Sequence, residues 1–396
     1  MTPPKNAKRG TGQELFLPLT GAIRKDIERL MECTEAVFPL PARFRSSLSR
    51  DIAALSRLLT SERSERDGGY LGKPSMQSAY LRFFLPWNVY RLCRLLPSLP
   101  LSLKAGDALT DLGSGPLTFP LALWISRPEL RKLSLEIRCL DHTASVLDTG
   151  RRLFEALAGP GSPWRIKTIR ASLGNPVYGN KAALVTAVNV FNEIFWDDHR
   201  LLQGIVKKNA AYLRSLAEEN GSLLVAEPGI PRSGEFISLL RSELMKTSSA
   251  KTGGLSPCPH CGSCPFPGGK GGAKWCHFAF DTDDAPRDLL RLSEAAALPK
   301  ERAVLSYLFL GPGNHFGGNV RILSDLFPLG EKAGGKARSE QAEYGRYGCS
   351  EKGMVLVAGQ RRYMKDIPSG TLLDLAMPDP ARRDVKSRAM VLDFSG

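Results

Sequence analysis

The spacing of apolar residues changes twice along the chain and divides it into three stretches. Within residues 20–66 Ile23, Ile27, Leu30 and Met31, then Leu48, Ile52, Leu55 and Leu59, recur at the spacing of one helix face. A polar stretch over 61–74 reads as a linker. Residues 75–96 are helical again and aromatic, with Tyr80, Phe83, Phe84, Trp87 and Tyr90. Pro86 is expected to kink or split this helix, because its ring crowds the preceding turn and it has no N–H to give.

From about residue 105 short apolar runs alternate with helical periods. Strands are expected at 108–112, 135–140, 165–170, 182–190 and 222–226, with helices at 117–126, 145–158, 199–218 and 236–244. Such alternation implies an α/β domain with a mostly parallel sheet covered on both faces. Ligand chemistry would lie beyond the carboxyl ends of its strands. Residues 251–273 are rich in Gly, Pro and Cys and cannot build a core alone, so they read as a loop organised by a metal. Strands at 275–280 and 304–310 flank a helix near 286–297. After 317 the segments are short and strand-like, at 320–323, 354–358 and 371–375, among glycines and basic residues. The division expected is a helical region over 1–100, an α/β domain over 101–315 carrying the metal loop 255–280, and a small basic β-rich appendage over 316–396.

Composition narrows the function classes. With 42% apolar and 24% charged residues, a mostly disordered chain is excluded. A membrane helix needs ~18–20 uninterrupted apolar residues; the best candidate, 79–96, is broken by Arg82, Pro86, Asn88, Arg91 and Arg94, so no membrane association through a span is expected. The net charge of +14 is spread over all three stretches. That suits a polyanionic partner met over a broad surface better than one basic arm; a merely solubilising charge is the plainer alternative. The first residues are basic and free of acid before Glu14, without a secretory apolar core, as in a short organellar leader.

The first expected strand ends in Asp111-Leu112-Gly113-Ser114-Gly115-Pro116. The two glycines permit a tight turn and close approach of a ligand to the backbone. The third glycine of a dinucleotide fingerprint is missing, Thr118 taking its place, and no phosphate-loop Lys-Ser/Thr follows. An acid just before the glycines suits a ligand with an ammonium group, and Asp141 after the second strand suits ribose hydroxyls; together they describe S-adenosylmethionine. At this point the chain resembles class I methyltransferases, whose first motif matches Asp111-Leu112-Gly113-Ser114-Gly115 and whose ribose-binding acid matches Asp141. Leu117 stands where many members carry a further glycine. The resemblance covers roughly residues 100–310 and implies a Rossmann-like sheet. The fourth strand ends Asn189-Val190-Phe191-Asn192-Glu193, without the Pro-Pro-aromatic motif of enzymes that methylate exocyclic amines. No cysteine stands beside the fourth or fifth strand to attack a pyrimidine ring. Asn189, Asn192 and Glu193 remain the candidate catalytic residues, able to bind a base or position a water; a plain polar loop is the alternative.

Of the eight cysteines, Cys33, Cys93 and Cys139 stand alone and read as core thiols. Cys258, Cys261, Cys264 and Cys276 crowd together, and Cys349 follows later. Without an export signal, such clustering suggests metal before disulfide. Thiolates select zinc or iron–sulfur groups. C-x2-C-x2-C followed by Pro is a ferredoxin-like run, whereas His260 and His277 could complete a zinc site.

Cys258-Pro-His, Cys264-Pro and Trp275-Cys-His-Phe278, after a methyltransferase-like sheet, resemble the small-ribosomal-subunit methyltransferase-like assembly factors of mitochondria and bacteria. So does the upstream run from Tyr80 to Pro86. The resemblance implies binding to small-subunit rRNA or the assembling small subunit, S-adenosylmethionine as cofactor, and a [4Fe–4S] cluster on Cys258, Cys264, Cys276 and Cys349, with Cys261 an extra thiol. It implies a monomer in the bacterial cytoplasm or the mitochondrial matrix. Methyl transfer to rRNA is the expected chemistry. The alternatives are an inactive RNA-binding assembly factor that keeps cofactor and cluster as structural ligands, and a small-molecule methyltransferase with structural zinc.

Overall fold

The computed structural model describes residues 12–60, 73–194, 199–247, 254–269, 274–312, 317–329 and 343–395; the expected leader and most of the 61–74 linker lie outside them. The N-terminal stretch forms α1 (Gly21–Val37), α2 (Ala42–Arg45) and α3 (Leu48–Thr60). Thr20 caps α1 by accepting from the Ile23 N–H at 3.2 Å. The helix after it does split: α4 (Pro74–Ala79), a wider π turn (Tyr80–Phe84) and α5 (Leu85–Leu95). The wide turn lies directly before Pro86, where the ring would otherwise strike the carbonyl one turn back. Arg82 anchors this turn, donating to both Glu35 carboxylate oxygens (2.6 and 3.0 Å) and to the Phe38 carbonyl at 2.5 Å.

The α/β domain follows the expected order: β1 (Ala108–Leu112), α6 (Thr118–Ser126), β2 (Leu135–Asp141), α7 (Ala144–Ala158), β3 (Trp164–Arg170), β4 (Ala182–Val188), α8 (His199–Leu216), β5 (Ala217–Pro228) and α9 (Pro231–Thr247). Then come β6 (Gly254–Ser256), β7 (Phe278–Asp281), α10 (Arg287–Ala295) and β8 (Arg302–Gly311). The strand order is β3-β2-β1-β4-β5-β8-β6, with β7 also on β8. β1 to β5 pair in parallel and β8 runs antiparallel to β5. This is the expected class I methyltransferase arrangement. β1 is buried along its whole length, and α6 is buried on every side, as a central strand and a core helix must be. One apolar core runs from α1, α3 and α5 into one face of the sheet; a second lies on the other face beneath α8 and α9.

The differences from expectation have physical causes. β6 lies in what read as pure loop, because β8 offers its edge to three residues there. The strand expected at 275–280 starts only at Phe278; Trp275 makes an isolated bridge to Pro267. In the appendage, β9 (Val320–Ile322), β12 (Gly353–Gln360) and β13 (Leu372–Leu373) answer to expected segments, whereas β10 (Phe327–Pro328), β11 (Glu343–Ser350) and β14 (Met390–Phe394) do not; a short helix, α11 (Arg361–Met364), follows β12. β11 has no apolar alternation because its glycines face neighbours: a Cβ on Gly345 would meet Leu356 at 2.8 Å, and one on Gly348 the Arg321 carbonyl at 3.0 Å. The appendage sheet runs β13-β9-β11-β12-β14, with β10 on β11.

Leu117 adopts a left-handed backbone, φ 58°, where a third glycine was missing. The glycine that makes room stands instead on α7: a Cβ on Gly150 would lie 2.4 Å from the Pro116 carbonyl carbon and 2.7 Å from the Leu117 nitrogen. An Ala in a free helix gains up to about 1 kcal/mol over Gly. Here Gly150→Ala is expected to lower stability by about 1–3 kcal/mol, because backbone atoms cannot yield to the methyl. A thermal melt checks this; a raised midpoint would contradict it.

Candidate functional site

A cavity of about 610 Å³ opens at the carboxyl ends of β1, β2 and β4. This is where the strand order reverses direction, the place for a ligand in an open α/β sheet. Gly113, Ser114 and Gly115 line it, with Asp141, Asn189, Asn192 and Glu193. The structure thus brings these residues of the sequence reading together. Gly113 has φ 58°, and a Cβ there would lie 2.6 Å from a Val190 methyl, so both conformation and space require glycine. Asp141 accepts from the Gly115 N–H at 3.1 Å and the Thr143 N–H at 2.8 Å, tying the turn to the end of β2.

Asp111 is placed differently. It is buried beneath the turn and does not line the cavity. Thr186 Oγ1 donates to it at 2.5 Å, and so does the Ser114 hydroxyl. Burial pushes its pKa up to about 7 against the pull of these two hydroxyls. Its position suits fixing the turn better than touching a ligand.

The loop after β4 is held by a residue that sequence reading passed over. Glu227, at the end of β5, accepts from the backbone N–H groups of Val190 (3.0 Å), Phe191 (2.8 Å) and Asn192 (3.0 Å). Its pKa is pushed up to about 8 by burial, opposed by those three donors. The only sequence signal was an acid closing a strand in Glu-Pro-Gly. Asn189 takes a left-handed backbone, φ 57°, a conformation asparagine tolerates better than most. Tyr80, Asn88 and Arg91 from the split helix and Lys300 before β8 also line the cavity. Asn88 and Arg91 had counted only as breaks in an apolar run; Lys300 gave no sequence signal.

The thiols of Cys258, Cys264, Cys276 and Cys349 share one small pocket with His260 and Arg321. Cys261 does not line it, nor does His277, which stacks on Trp275 with ring centroids 4.7 Å apart. The pocket as it stands leaves only about 10 Å³ free. Among the described residues no group of three or more His, Cys, Asp or Glu is arranged to hold a metal ion. One arginine, Arg321, lines the pocket, and a second, Arg241, bonds to one of its thiols. Burial, and the neighbouring thiols, raise the pKa of Cys276 and Cys349 well above the ordinary thiol range. Arg241 Nε donates to Cys258 Sγ at 3.2 Å, and His260 Nε2 lies 3.3 Å from Cys349 Sγ. Burial works against the charge of Arg241, but Cys258, Cys264 and Cys349 outweigh it and its pKa is raised. Arg321, only 1% exposed, has its pKa lowered by burial, while the Tyr307 hydroxyl and three of the thiols pull the other way. It donates to the Pro257 carbonyl at 2.8 Å and the Gly370 carbonyl at 2.7 Å, joining the cysteine loop to the appendage.

No helix among the described residues is long and apolar enough to cross a membrane. No curated protein matches the sequence significantly. Among solved structures the chain is similar to an S-adenosylmethionine-dependent methyltransferase from Thiobacillus denitrificans, in complex with S-adenosyl-L-homocysteine. That likeness has 14% identity and a TM-score of 0.32, and covers 58% of this chain and 92% of the other. A 16S rRNA adenine methyltransferase variant from Catenulisporales acidiphilia shares 14% identity, with TM-score 0.29 and coverage of 53% and 87%. A methyltransferase from Pyrococcus furiosus shares 8%, with TM-score 0.31 and coverage of 54% and 78%. Likenesses this weak carry no argument about function. The model of the family described as mitochondrial small ribosomal subunit Rsm22 matches residues 108–323, more than half of the sequence, from the first strand of the sheet into the appendage. The chain belongs to the Rsm22 family.

Proposed function

We propose that the protein binds S-adenosylmethionine in the cavity at the sheet edge and acts, as a methyltransferase-like protein, on small-subunit rRNA or the assembling small ribosomal subunit. The observation that carries the cofactor reading is the joint lining of that cavity by Gly113, Gly115 and Asp141 at the carboxyl ends of β1 and β2. The backbone at the glycines would receive the amino-acid part of the cofactor, and Asp141 the ribose hydroxyls. Asp111 keeps the turn in shape from below. When bound, the cofactor supplies a methyl group activated by a sulfonium. Asn189, Asn192 and Glu193, on the same cavity wall, are assigned to the acceptor, as hydrogen-bond partners of its edge. The family's name supports the ribosomal setting, and the net charge of +14 supports an RNA partner. The mitochondrial matrix is the corresponding location, or the cytoplasm in a bacterium. An assembly factor that keeps the cofactor without transferring its methyl remains the second reading, supported by the absence of a Pro-Pro-aromatic motif after Asn189.

For the thiol pocket the proposal is a [4Fe–4S] cluster on Cys258, Cys264, Cys276 and Cys349. Four thiols facing two arginines fit an anionic group of soft-ligand type. The free space would have to widen to admit it, which a Gly/Pro-rich loop permits. The metal would order that loop and join it to β11.

Replacing Asp141 by Ala is expected to weaken S-adenosylmethionine binding by about 1.5–3 kcal/mol, the worth of a hydrogen bond to a charged group. Calorimetry on metal-loaded protein measures this, and wild type that binds no cofactor would overturn the reading. Cys349→Ser is expected to lower iron content and thermal stability, whereas Cys261→Ser leaves both near wild type. Iron and sulfide analysis after anaerobic purification checks it; zinc at one equivalent without sulfide, or iron lost only in Cys261→Ser, would contradict the assignment.

A further inference from the structure

The cavity is lined by charges of both signs. Its acids, Asp141 and Glu193, stand with the glycine turn and the loop after β4. Two cations, Arg91 on α5 and Lys300 before β8, line the same cavity, next to each other. Both are half-buried, and among the described residues neither has a carboxylate partner. Arg91 spends its donors on neutral oxygens, the Asn88 side chain and, at 3.4 Å, the Val304 carbonyl. Burial depresses the pKa of both, and the charge of Arg91 depresses that of Lys300 further. A third cation lining the cavity, Arg302, is by contrast already committed to Asp325 and Asp281. Two adjacent cations in a sheltered wall repel one another unless an anion lies between them.

The surface beside them is aromatic. Tyr80 and Phe84 stack with centroids 5.9 Å apart at 24°, and both line the cavity with Trp87. Burial holds the Tyr80 hydroxyl neutral, its pKa pushed up to about 12. An aromatic shelf beside a guanidinium and an ammonium has the chemistry that receives a base and its phosphate.

We infer that Arg91 and Lys300 form a phosphate subsite that seats a ribonucleotide of the RNA substrate, its base against Tyr80, facing the cofactor half of the cavity. This deepens the cofactor reading and rests on it. It gives the two cations a specific task, choosing a nucleotide over a free nucleoside or an uncharged small molecule.

The test titrates the protein, saturated with S-adenosyl-L-homocysteine, with each of the four ribonucleoside 5′-monophosphates and the matching nucleosides. Saturation keeps an adenosine probe out of the cofactor half. At least one monophosphate should bind about tenfold or more tighter than its nucleoside, as expected of charge-assisted bonds to phosphate. Arg91→Gln and Lys300→Gln should each erase most of that preference while S-adenosyl-L-homocysteine binding stays at the wild-type level, which also shows that the variants are folded. Arg91→Lys, which keeps the charge but not the fork, should retain part of it. A trinucleotide that depends on Arg91 in the same way would identify an internal RNA phosphate as the source; dependence only with the free monophosphate would identify a terminal one. Equal binding of nucleotide and nucleoside, or a preference that survives in the double variant, would overturn the subsite. If S-adenosyl-L-homocysteine fails to bind wild type, the cofactor reading falls, and a nucleotide preference lost in Arg91→Gln would still uphold the phosphate subsite.

Discussion

Loops at the carboxyl edge of a buried sheet carry backbone N–H groups that must find acceptors away from bulk water. Two carboxylates meet that demand here, and a third holds side-chain hydroxyls beneath the first turn. Asp141 takes Gly115 and Thr143, Glu227 takes three consecutive N–H groups of the loop after β4, and Asp111 gathers Ser114 and Thr186 under the first turn. The glycine turn and the loop after β4, which both line the cavity, are thus each held by a carboxylate at the end of a strand. Burying acids has a cost, and the raised pKa values of Asp111 and Glu227 express it. Asp141 differs from these two because it is half-buried on the cavity wall. It is the carboxylate whose position lets it serve both the turn and a ligand.

The thiol pocket obeys the same principle with the signs reversed. Arg321 and Arg241 are buried cations, and the groups that offset their desolvation are thiols and carbonyl oxygens. Because Arg321 sits on β9 and reaches both the cysteine loop and Gly370, the appendage is bound to the α/β domain through polar contacts beside the thiols. The appendage is also tied to the N-terminal stretch, from the Leu372 N–H to the Gln13 carbonyl at 3.0 Å, and to the α/β domain, from Arg302 to Asp325. On the proposed reading, an anionic cluster there would neutralise the two guanidinium groups and draw the pieces together.

Much of this was legible in the sequence, for identifiable reasons. The parallel strands show as short apolar or alternating runs set between helical segments, so their pattern located β1 to β4 within a residue or two. The glycine turn and Asp141 were visible because local backbone geometry and a strand end determine where they lie. The four pocket cysteines came from the family resemblance, not from spacing. Periodicity could not show contacts made over long separations. Glu227 reaches a loop thirty-odd residues earlier, and Lys300 faces Arg91 only after the chain has folded back through β8. β11 was invisible because glycines and an arginine fill the positions where a strand usually shows apolar residues. Asp111 was seen correctly as part of the turn, but burial, which sequence does not report, sets it beneath the cavity wall.

The most direct measurement is a crystal structure of the protein soaked with S-adenosyl-L-homocysteine. The ribose hydroxyls are expected on the Asp141 carboxylate, the amino-acid end over Gly113 and Gly115, and the sulfur turned toward Asn189 and Glu193. A ligand seated elsewhere, with Asp141 making contact only with Gly115 and Thr143, would contradict it.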